Sequence, residues 1–315
     1  MLCPLCFSKK TRYFAEKNSY LFYRCSDCKA LFLNTLPSNI KLKDYYKKQF
    51  SYTDGLLNES LIRKRSASIL NKLQNSAPKS TTLCDVGSGY GYFLDEASHR
   101  GYRSEGIEPS KQLAVHATKK YSLHIYNGGL EEYIRNTHTQ FDIVTCIHVI
   151  EHVQHPKHFI NLLLKLVKPG GLLFLETPNS DSHLLYREKE VYTFLIPPDH
   201  LWVFSQFSIQ AMLPHNFGII FRNTYSYSEH FMGIVKRIAA NMSLRAKHNE
   251  AKQSQEVKRL PRRFTPRNDI NIRKKLSYKL FDKGIAPLFT GMLNLYHKGS
   301  ILELYIKKKD TKSGL

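Results

Sequence analysis

Blocks of apolar and polar residues alternate through the middle of the chain and predict strands that are each followed by a helix. Short apolar runs at 81–86 and 141–150 predict buried strands. The run at 155–167 places its apolar residues at helical spacing and is followed by a Pro-Gly-Gly sequence that predicts the helix end. Strands alternating with helices at this spacing indicate right-handed βαβ units, so we predict an α/β fold with a mostly parallel sheet over 81–228.

Composition and charge narrow the class of protein. The chain has 315 residues, of which 42% are hydrophobic, and this is enough for a sizeable core without disulfides. No apolar run reaches the ~18 residues of a membrane span, which disfavours a membrane-spanning protein. No basic-then-apolar leader opens the chain, which disfavours a secreted protein. The 47 Lys and Arg residues exceed the 26 Asp and Glu residues and give a net charge of +21, which calls for an anionic partner or surface.

Four of the six cysteines form two Cys-x-x-Cys pairs, Cys3 with Cys6 and Cys25 with Cys28. Two such pairs supply four thiolates at the spacing of a tetrahedral Zn²⁺ site, and the aromatic-rich segment between them predicts a hairpin. We therefore predict a structural zinc ribbon over 1–36, with two redox pairs or free thiols as the alternative. Thiolate ligands without a disulfide framework favour a reducing cytoplasm.

A glycine-rich turn follows the first strand of the predicted sheet. Residues 85–91, DVGSGYG, place three glycines at alternate positions, which lets the backbone turn tightly and approach a ligand. A dinucleotide fingerprint would need glycine where Tyr92 stands, so NAD and FAD are disfavoured. Glu108 ends the next strand and can accept hydrogen bonds from ribose hydroxyls. Together these features predict a cofactor with a ribose at the carboxyl ends of the strands.

These motifs resemble those of the class I S-adenosylmethionine (SAM)-dependent methyltransferases. The matching stretches are LCDVGSGYGYFLDEA for the first motif, GIEPS for the second strand end, FDIVTCIHVIEHVQHP for the fourth strand and LVKPGGLLFLETPN for the fifth. PDHLWVFSQFSIQAML is similar to a block frequent in one subset, which also often begins with a two-knuckle zinc module. The resemblance implies a Rossmann-like sheet with an antiparallel last strand.

The resemblance also implies roles by position. Asp85 and the backbone at Gly87 and Gly89 would hold the amino and carboxylate ends of SAM, with Gly91 completing the loop. Glu108 would hold the ribose, and Ile147 and His148 would lie beside the methionine portion. Gly129 stands where the family often has an acid that reads the adenine amine, so the backbone near Leu130 or the Glu131 side chain would take that role.

Methyl transfer from a sulfonium mainly requires proximity, alignment and a dry pocket. A hydroxyl or carbon acceptor also requires a general base, and histidine suits neutral pH. His200 is our first choice and His152 the second, and each has a packing or capping role as its alternative. A metal cluster of His148, Glu151 and His152 is a further alternative, which is weakened because similar quinone-precursor O-methyltransferases have an acid where His148 stands.

Residues 229–298 interrupt the pattern between two segments, 218–228 and 301–308, that match the antiparallel pair ending this fold. The insertion begins with an amphipathic helical stretch, and residues 236–283 hold 15 Lys or Arg against 4 Asp or Glu. Three interpretations stay open: a platform on an anionic membrane, a nucleic-acid contact, or a solvated helical cap over the acceptor.

We predict a cytoplasmic SAM-dependent methyltransferase that acts on an oxygen or carbon of a small metabolite, sugar nucleotide or lipid-linked glycan intermediate. Peripheral contact with the inner face of the membrane is an added expectation. The rivals are an RNA methyltransferase and a non-catalytic protein that binds SAM. The predicted segments are the zinc ribbon at 1–36, a helical connector at 37–80, the SAM-binding core at 81–228, a basic helical insertion at 229–298, and a final strand and tail at 299–315.

Overall fold

The computed structural model describes residues 1–38, 41–42, 59–226 and 298–309. Residues 229–297 of the predicted insertion lie outside the described residues, as do residues 39–40 and 43–58 of the predicted helical connector. The strands are β1 (Thr11–Lys17), β2 (Tyr20–Cys25), β3 (Leu31–Leu33), β4 (Thr82–Val86), β5 (Arg103–Glu108), β6 (His124–Asn127), β7 (Phe141–Ile147), β8 (Val167–Pro178), β9 (Trp202–Val203), β10 (Phe217–Tyr225) and β11 (Ile301–Lys308).

The α-helices alternate with these strands through most of the chain. They are α1 (Glu59–Ser76), α2 (Tyr92–His99), α3 (Lys111–Tyr121), α4 (Leu130–Asn136), α5 (Pro156–Lys165), α6 (His183–Glu188) and α7 (Gln206–Met212), and a short 3₁₀ helix spans Ile150–His152. None of the helices in the described ranges is both long enough and apolar enough to cross a bilayer.

The main sheet has seven strands among the described residues, in the order β10-β11-β8-β7-β4-β5-β6. The pairs β4/β5, β4/β7, β5/β6 and β7/β8 are parallel. β11 pairs antiparallel with β8. The predicted α/β fold with its antiparallel last strand is therefore confirmed. The chain adds β5 and β6 on one side of β4 and then crosses to add β7 and β8 on the other, so the strand order reverses between β4 and β7.

The central strands are apolar because both of their faces are buried. Leu83 and Cys84 of β4 and Ile143 and Val144 of β7 have no exposed surface. Strands buried on both faces carry continuous apolar runs instead of strict alternation, and this is the pattern that predicted them. Ser110 caps α3 as predicted, since its side chain accepts a hydrogen bond from the backbone N–H of Leu113 at 3.4 Å.

The β7/β8 pair contains an irregularity that the sequence pattern did not predict. The Lys-Pro-Gly-Gly segment was predicted to end the helix. The helix ends at Lys165, and β8 already begins at Val167 and includes this segment. Phe141 pairs with Val167, whereas Ile143 pairs with Leu172, so the register shifts between the two pairs. The extra residues are absorbed in a bulge where Gly170 has φ +75°.

The cysteine-rich segment forms a second sheet together with a strand from far along the chain. Its order is β1-β2-β3-β9, and the predicted β1-β2 hairpin is present. β3 pairs antiparallel with β9 through Leu31 with Val203 and Phe32 with Trp202. Trp202 is 2% exposed and packs near Phe32. The amino-terminal sheet is therefore completed by β9, which begins two residues after His200, and local sequence patterns do not reveal this pairing.

Residues Asp181–Leu195 and Thr224–Ser300 group as a compact unit separate from the rest of the chain. Among the described residues of this unit, Tyr192 is fully buried and its hydroxyl donates to the carbonyl oxygen of Ser300 at 3.4 Å. The backbone N–H of Ser300 in turn donates to the Ser226 hydroxyl at 2.9 Å. These bonds connect the described ends of the unit.

Candidate active site

The predicted cofactor residues lie together at one edge of the main sheet. Asp85 lies near the end of β4, Glu108 ends β5, and Ile147 ends β7 and precedes His148. Leu130 begins α4, which follows β6. The reversal of strand order between β4 and β7 opens a crevice at these carboxyl ends, where open α/β sheets bind ligands.

Asp85 is a buried carboxyl group at the centre of this edge. It is 4% exposed, and its Oδ1 accepts a hydrogen bond from the Thr145 hydroxyl at 2.6 Å. Burial, together with the nearby charge of Glu108, raises the pKa of Asp85 to about 7 although the Thr145 bond opposes the shift. A bound cation would favour the ionised form of this side chain.

Glu108 braces the glycine-rich loop. Its Oε2 accepts from the backbone N–H of Gly89 and its Oε1 from the N–H of Ser110, both at 2.8 Å. Burial raises the pKa of Glu108, and these two hydrogen bonds oppose the shift. A carboxylate offers about four acceptor positions, so Glu108 still has capacity for ligand hydroxyls. The bond to Gly89 was not predicted, because it depends on the approach of β4 and β5.

The three glycines of the loop all have positive φ, with +82° at Gly87, +55° at Gly89 and +81° at Gly91. A Cβ atom at Gly91 would lie 2.8 Å from the Ala117 Cβ and 2.7 Å from a Leu123 methyl group. A Cβ atom at Gly89 would have no described atom within 4 Å. Gly91 is thus required for packing inside the protein, whereas Gly89 faces open space.

His148 is held between two buried carboxylates. Its Nδ1 lies 3.0 Å from Glu151 Oε1 and its Nε2 lies 3.3 Å from Glu176 Oε1. Burial alone would lower the pKa of His148, but the two carboxylates raise it to about 10. His148 is therefore a cation at neutral pH, with both ring nitrogens engaged, and it does not accept a proton from a substrate.

Glu151 has no exposed surface, and each of its oxygens has a partner. Oε1 faces His148, and Oε2 accepts from the Thr177 hydroxyl at 3.0 Å. Ligand atoms of Glu151, His152 and His200 lie within 4.8 Å of one another, a different set from the predicted metal cluster. Because the imidazolium of His148 already compensates the buried charge of Glu151, we assign no metal to these residues.

The two predicted bases, His152 and His200, lie side by side with ring centroids 4.8 Å apart. His152 Nδ1 donates to the backbone carbonyl oxygen of Asp199 at 3.1 Å and lies 2.8 Å from Asp199 Oδ1. The side chain of His152 is 26% exposed, whereas His200 is 6% exposed. Asp199 was not among the predicted site residues, although its position beside His200 was a signal that could have identified it.

The amino-terminal sheet holds the segment that carries Asp199 and His200. The N–H of Leu33 in β3 donates to the carbonyl oxygen of Leu201 at 3.2 Å, and the N–H of Leu201 donates to the carbonyl of Glu151 at 2.9 Å. The indole N–H of Trp202 donates to the carbonyl oxygen of Val153 at 2.8 Å. The segment is therefore fixed between β3 and the turn that follows β7.

The four amino-terminal cysteines converge on one point. Cys3 Sγ lies 3.6 Å from Cys28 Sγ, and Cys6 Sγ lies 3.6 Å from Cys25 Sγ. All four sulfur atoms lie within 4.8 Å of one another. The residue after each pair has positive φ, Phe7 at 60° and Lys29 at 62°. The two Cys-x-x-Cys segments thus form similar tight turns that direct four sulfur atoms at a common centre.

Comparison with known proteins assigns the family. Residues 58–219, just over half of the chain, match a family model described as a methyltransferase domain. The chain therefore belongs to this methyltransferase family, and the matching region is a class I SAM-dependent methyltransferase domain.

Individual relatives match over shorter stretches. A ubiquinone biosynthesis O-methyltransferase of Azoarcus sp. (strain BH72) is 35% identical over 106 residues, covering 31% of this chain and 44% of the relative. A mitochondrial protein of the same name from Dictyostelium discoideum is 38% identical over 112 residues, covering 31% of this chain and 35% of the relative. The chain thus spans less than half the length of these curated relatives. A SAM-dependent methyltransferase structure from Archaeoglobus fulgidus is 15% identical, with 80% of this chain and 98% of that chain covered and a TM-score of 0.48.

The glycine loop yields a prediction from a matched pair of variants. Gly91→Ala should lower the free energy of unfolding by about 3 kcal/mol, because the methyl group adds overpacking to backbone strain. Gly89→Ala should cost only about 1 kcal/mol of strain. It should nevertheless weaken SAM binding at least as much as Gly91→Ala does, because its methyl group projects into the open space where SAM would bind. Urea denaturation and calorimetric titration with SAM measure the two effects. Equal destabilisation by both variants would contradict the assignment of Gly91 to packing.

Proposed function

We propose that this protein transfers a methyl group from SAM to a hydroxyl oxygen of a small molecule. The observation that carries the proposal is the set of Asp85, Glu108 and the open face of Gly89 at the β4/β7 crevice of a methyltransferase-family domain. The curated relatives named O-methyltransferases favour oxygen as the acceptor atom. The histidine pair beside the crevice supplies candidates for the base that a hydroxyl requires.

The residues present fit SAM. Asp85 would bind its ammonium group, and Glu108 would accept from the ribose hydroxyls. Leu130 would border the adenine, and Ile147 and His148 the methionine portion. The bound cofactor supplies an activated methyl group on a sulfonium. The protein contributes alignment of the acceptor, exclusion of water, and a group that takes the hydroxyl proton.

The sequence leaves finer acceptor classes open. A carbon acceptor, a sugar nucleotide and a lipid-linked glycan stay predictions, as does RNA as a rival substrate. The contacts with an anionic membrane or nucleic acid predicted for 229–298 depend on the insertion, and residues 229–297 lie outside the described residues. Among these classes we favour a small phenolic or alcoholic hydroxyl, because the named relatives are O-methyltransferases.

Methyl transfer is tested by incubating the full chain with methyl-labelled SAM and a fractionated host extract. We expect label in the small-molecule fraction, in a bond that resists the mild base that cleaves methyl esters. Asp85→Ala is the control and should abolish SAM binding and labelling, because the ammonium group loses its carboxylate partner. Label in RNA would favour the rival substrate. Failure of the wild-type protein to bind SAM would refute the proposal.

The raised pKa of Asp85 predicts that SAM affinity depends on pH. A cationic ligand binds the ionised carboxyl, so the affinity should rise as pH increases from 6 to 7.5, by about eightfold for a pKa of about 7. Binding in this range should also release a proton, because the bound cation lowers the pKa of Asp85. Calorimetry in buffers of different ionisation enthalpy measures both effects. Asp85→Asn should bind weakly with a flat profile. A pH-independent wild-type affinity would contradict the role of Asp85.

We further propose that the four-cysteine cluster binds structural Zn²⁺. A tetrahedral site with Zn–S bonds of about 2.3 Å has sulfur atoms about 3.8 Å apart. The paired Sγ distances of 3.6 Å in this structure fit that geometry. A bound zinc ion would hold Cys3, Cys6, Cys25 and Cys28 as thiolates and close the amino-terminal sheet, and four thiolates leave no open position for catalysis.

The wild-type protein should contain about one zinc ion per chain, and Cys25→Ser should lose most of this zinc. It should also reduce methyl transfer by about 10- to 100-fold, because the amino-terminal sheet fixes the segment that carries Asp199 and His200. SAM affinity should change less than about twofold, since the glycine loop is held by Glu108 instead. Elemental analysis, labelling and calorimetry provide the three measurements. Cys84→Ala, a buried cysteine outside the cluster, is the matched control and should keep its zinc. Equal zinc content in both variants would contradict the site.

A further inference from the structure

The histidine pair contains an asymmetry that the sequence did not indicate. His200 is 6% exposed, whereas the His152 side chain is 26% exposed. His152 contacts Asp199 through Nδ1 only. Its Nε2 makes no hydrogen bond to any residue in the described part of the chain. His152 therefore combines a fixed nitrogen with an accessible one.

One hydrogen bond determines the form of the neutral ring. The Asp199 carbonyl oxygen lies 3.1 Å from Nδ1 and can only accept, so it requires a proton on Nδ1, and the carboxylate Oδ1 at 2.8 Å places negative charge beside that proton. A neutral imidazole carries one N–H, so the lone pair must then be on Nε2. Hydrogen bonds also fix the backbone on both sides of the histidine pair. The His152 N–H donates to the carbonyl oxygen of Val149 at 3.0 Å, and the N–H of Leu201, next to His200, donates to the carbonyl oxygen of Glu151 at 2.9 Å.

We propose that Asp199 is a positioning residue that holds His152 in its Nδ1–H form, so that Nε2 serves as the general base of the reaction. This inference rests on the proposed O-methyl transfer. The acceptor O–H gives its proton to Nε2 as the oxygen forms a bond to the methyl carbon. The S–CH₃ bond breaks, and its electron pair stays on sulfur, which becomes a neutral thioether. His152 leaves the step as an imidazolium beside the Asp199 carboxylate.

The surrounding charges support His152 in this role. Burial lowers its pKa, but Asp199 and the more distant Glu151 raise it above the ordinary value. Among the described residues, the ring of His200 also faces the His152 ring, with centroids 4.8 Å apart. His148 is unsuited, since its two nitrogens are engaged by Glu151 and Glu176 and it stays charged. The geometry thus favours His152 over His200, the reverse of the order predicted from sequence.

The experiment is a histidine NMR titration of the full chain, with resonances assigned by His152→Gln. In the wild-type protein, the ¹⁵N shifts of neutral His152 should report the Nδ1–H form. In Asp199→Asn the titration midpoint should fall by about one pH unit, because the carboxylate that stabilises the imidazolium is lost. The Nδ1–H form of His152 should persist, because the backbone carbonyl of residue 199 is unchanged and still accepts from Nδ1. Because the wild-type measurement needs no variant, the proposal stays testable if Asp199→Asn folds poorly.

Measurements of methyl transfer distinguish a positioning role of Asp199 from a purely structural one. With the extract fraction that accepts label in the transfer experiment, Asp199→Asn should reduce methyl transfer by about tenfold, because Nε2 becomes a weaker base although the Nδ1–H form is kept. At saturating SAM, where ionisation of Asp85 does not limit the rate, the acidic limb of the variant's pH profile should move down with the His152 midpoint, while SAM affinity at a given pH stays unchanged. His200→Gln should leave that limb in place. An Nε2–H form, or a limb that does not move in Asp199→Asn, would overturn the inference. Absence of transfer by the wild-type protein would overturn the proposed function and the base role, while the Asp199–His152 contact would stand.

Discussion

Burial of negative charge at one edge of the main sheet is the constraint on which the candidate site depends. Asp85, Glu108, Glu151 and Glu176 are each 6% exposed or less. Buried carboxyl groups are stable only when hydrogen bonds, nearby cations or protonation compensate them. Each carboxyl here is compensated differently, and the compensation determines what it can do.

The differences follow from the elements that meet each side chain. Asp85 has a hydroxyl partner and a raised pKa, so it is poised to ionise when a cation binds. Glu108 accepts two backbone N–H groups and thereby shapes the glycine loop. Glu151 and Glu176 share the imidazolium of His148. One edge of the sheet therefore contains three different arrangements. Asp85 can change its ionisation when a ligand binds, Glu108 holds the glycine loop, and Glu151 and Glu176 are neutralised by His148.

The amino-terminal sheet gives the cysteine cluster a structural connection to the candidate chemistry. Its fourth strand, β9, begins two residues after His200, and the hydroxyl of Ser205 donates to the carbonyl oxygen of Cys28 at 2.7 Å. Order in the cysteine turns is thus transmitted to the segment that carries Asp199. A module that could be taken for an appendage is, by its hydrogen bonds, part of the support for the histidine pair.

The sequence by itself determined the sheet, the strand–helix alternation, the cysteine pairs and the glycine-rich turn after β4, because all of these depend on local periodicity or on residues a few positions apart. Only the tertiary structure decided which histidine is accessible, that β9 completes the amino-terminal sheet, and that Glu108 braces Gly89. These features depend on groups far apart in sequence, such as Leu33 with Leu201, whose approach is set by strand order and packing. His148 shows the difference most clearly: the sequence predicted it beside the methionine portion of SAM or in a metal cluster, but two buried carboxylates hold it as a cation at neutral pH.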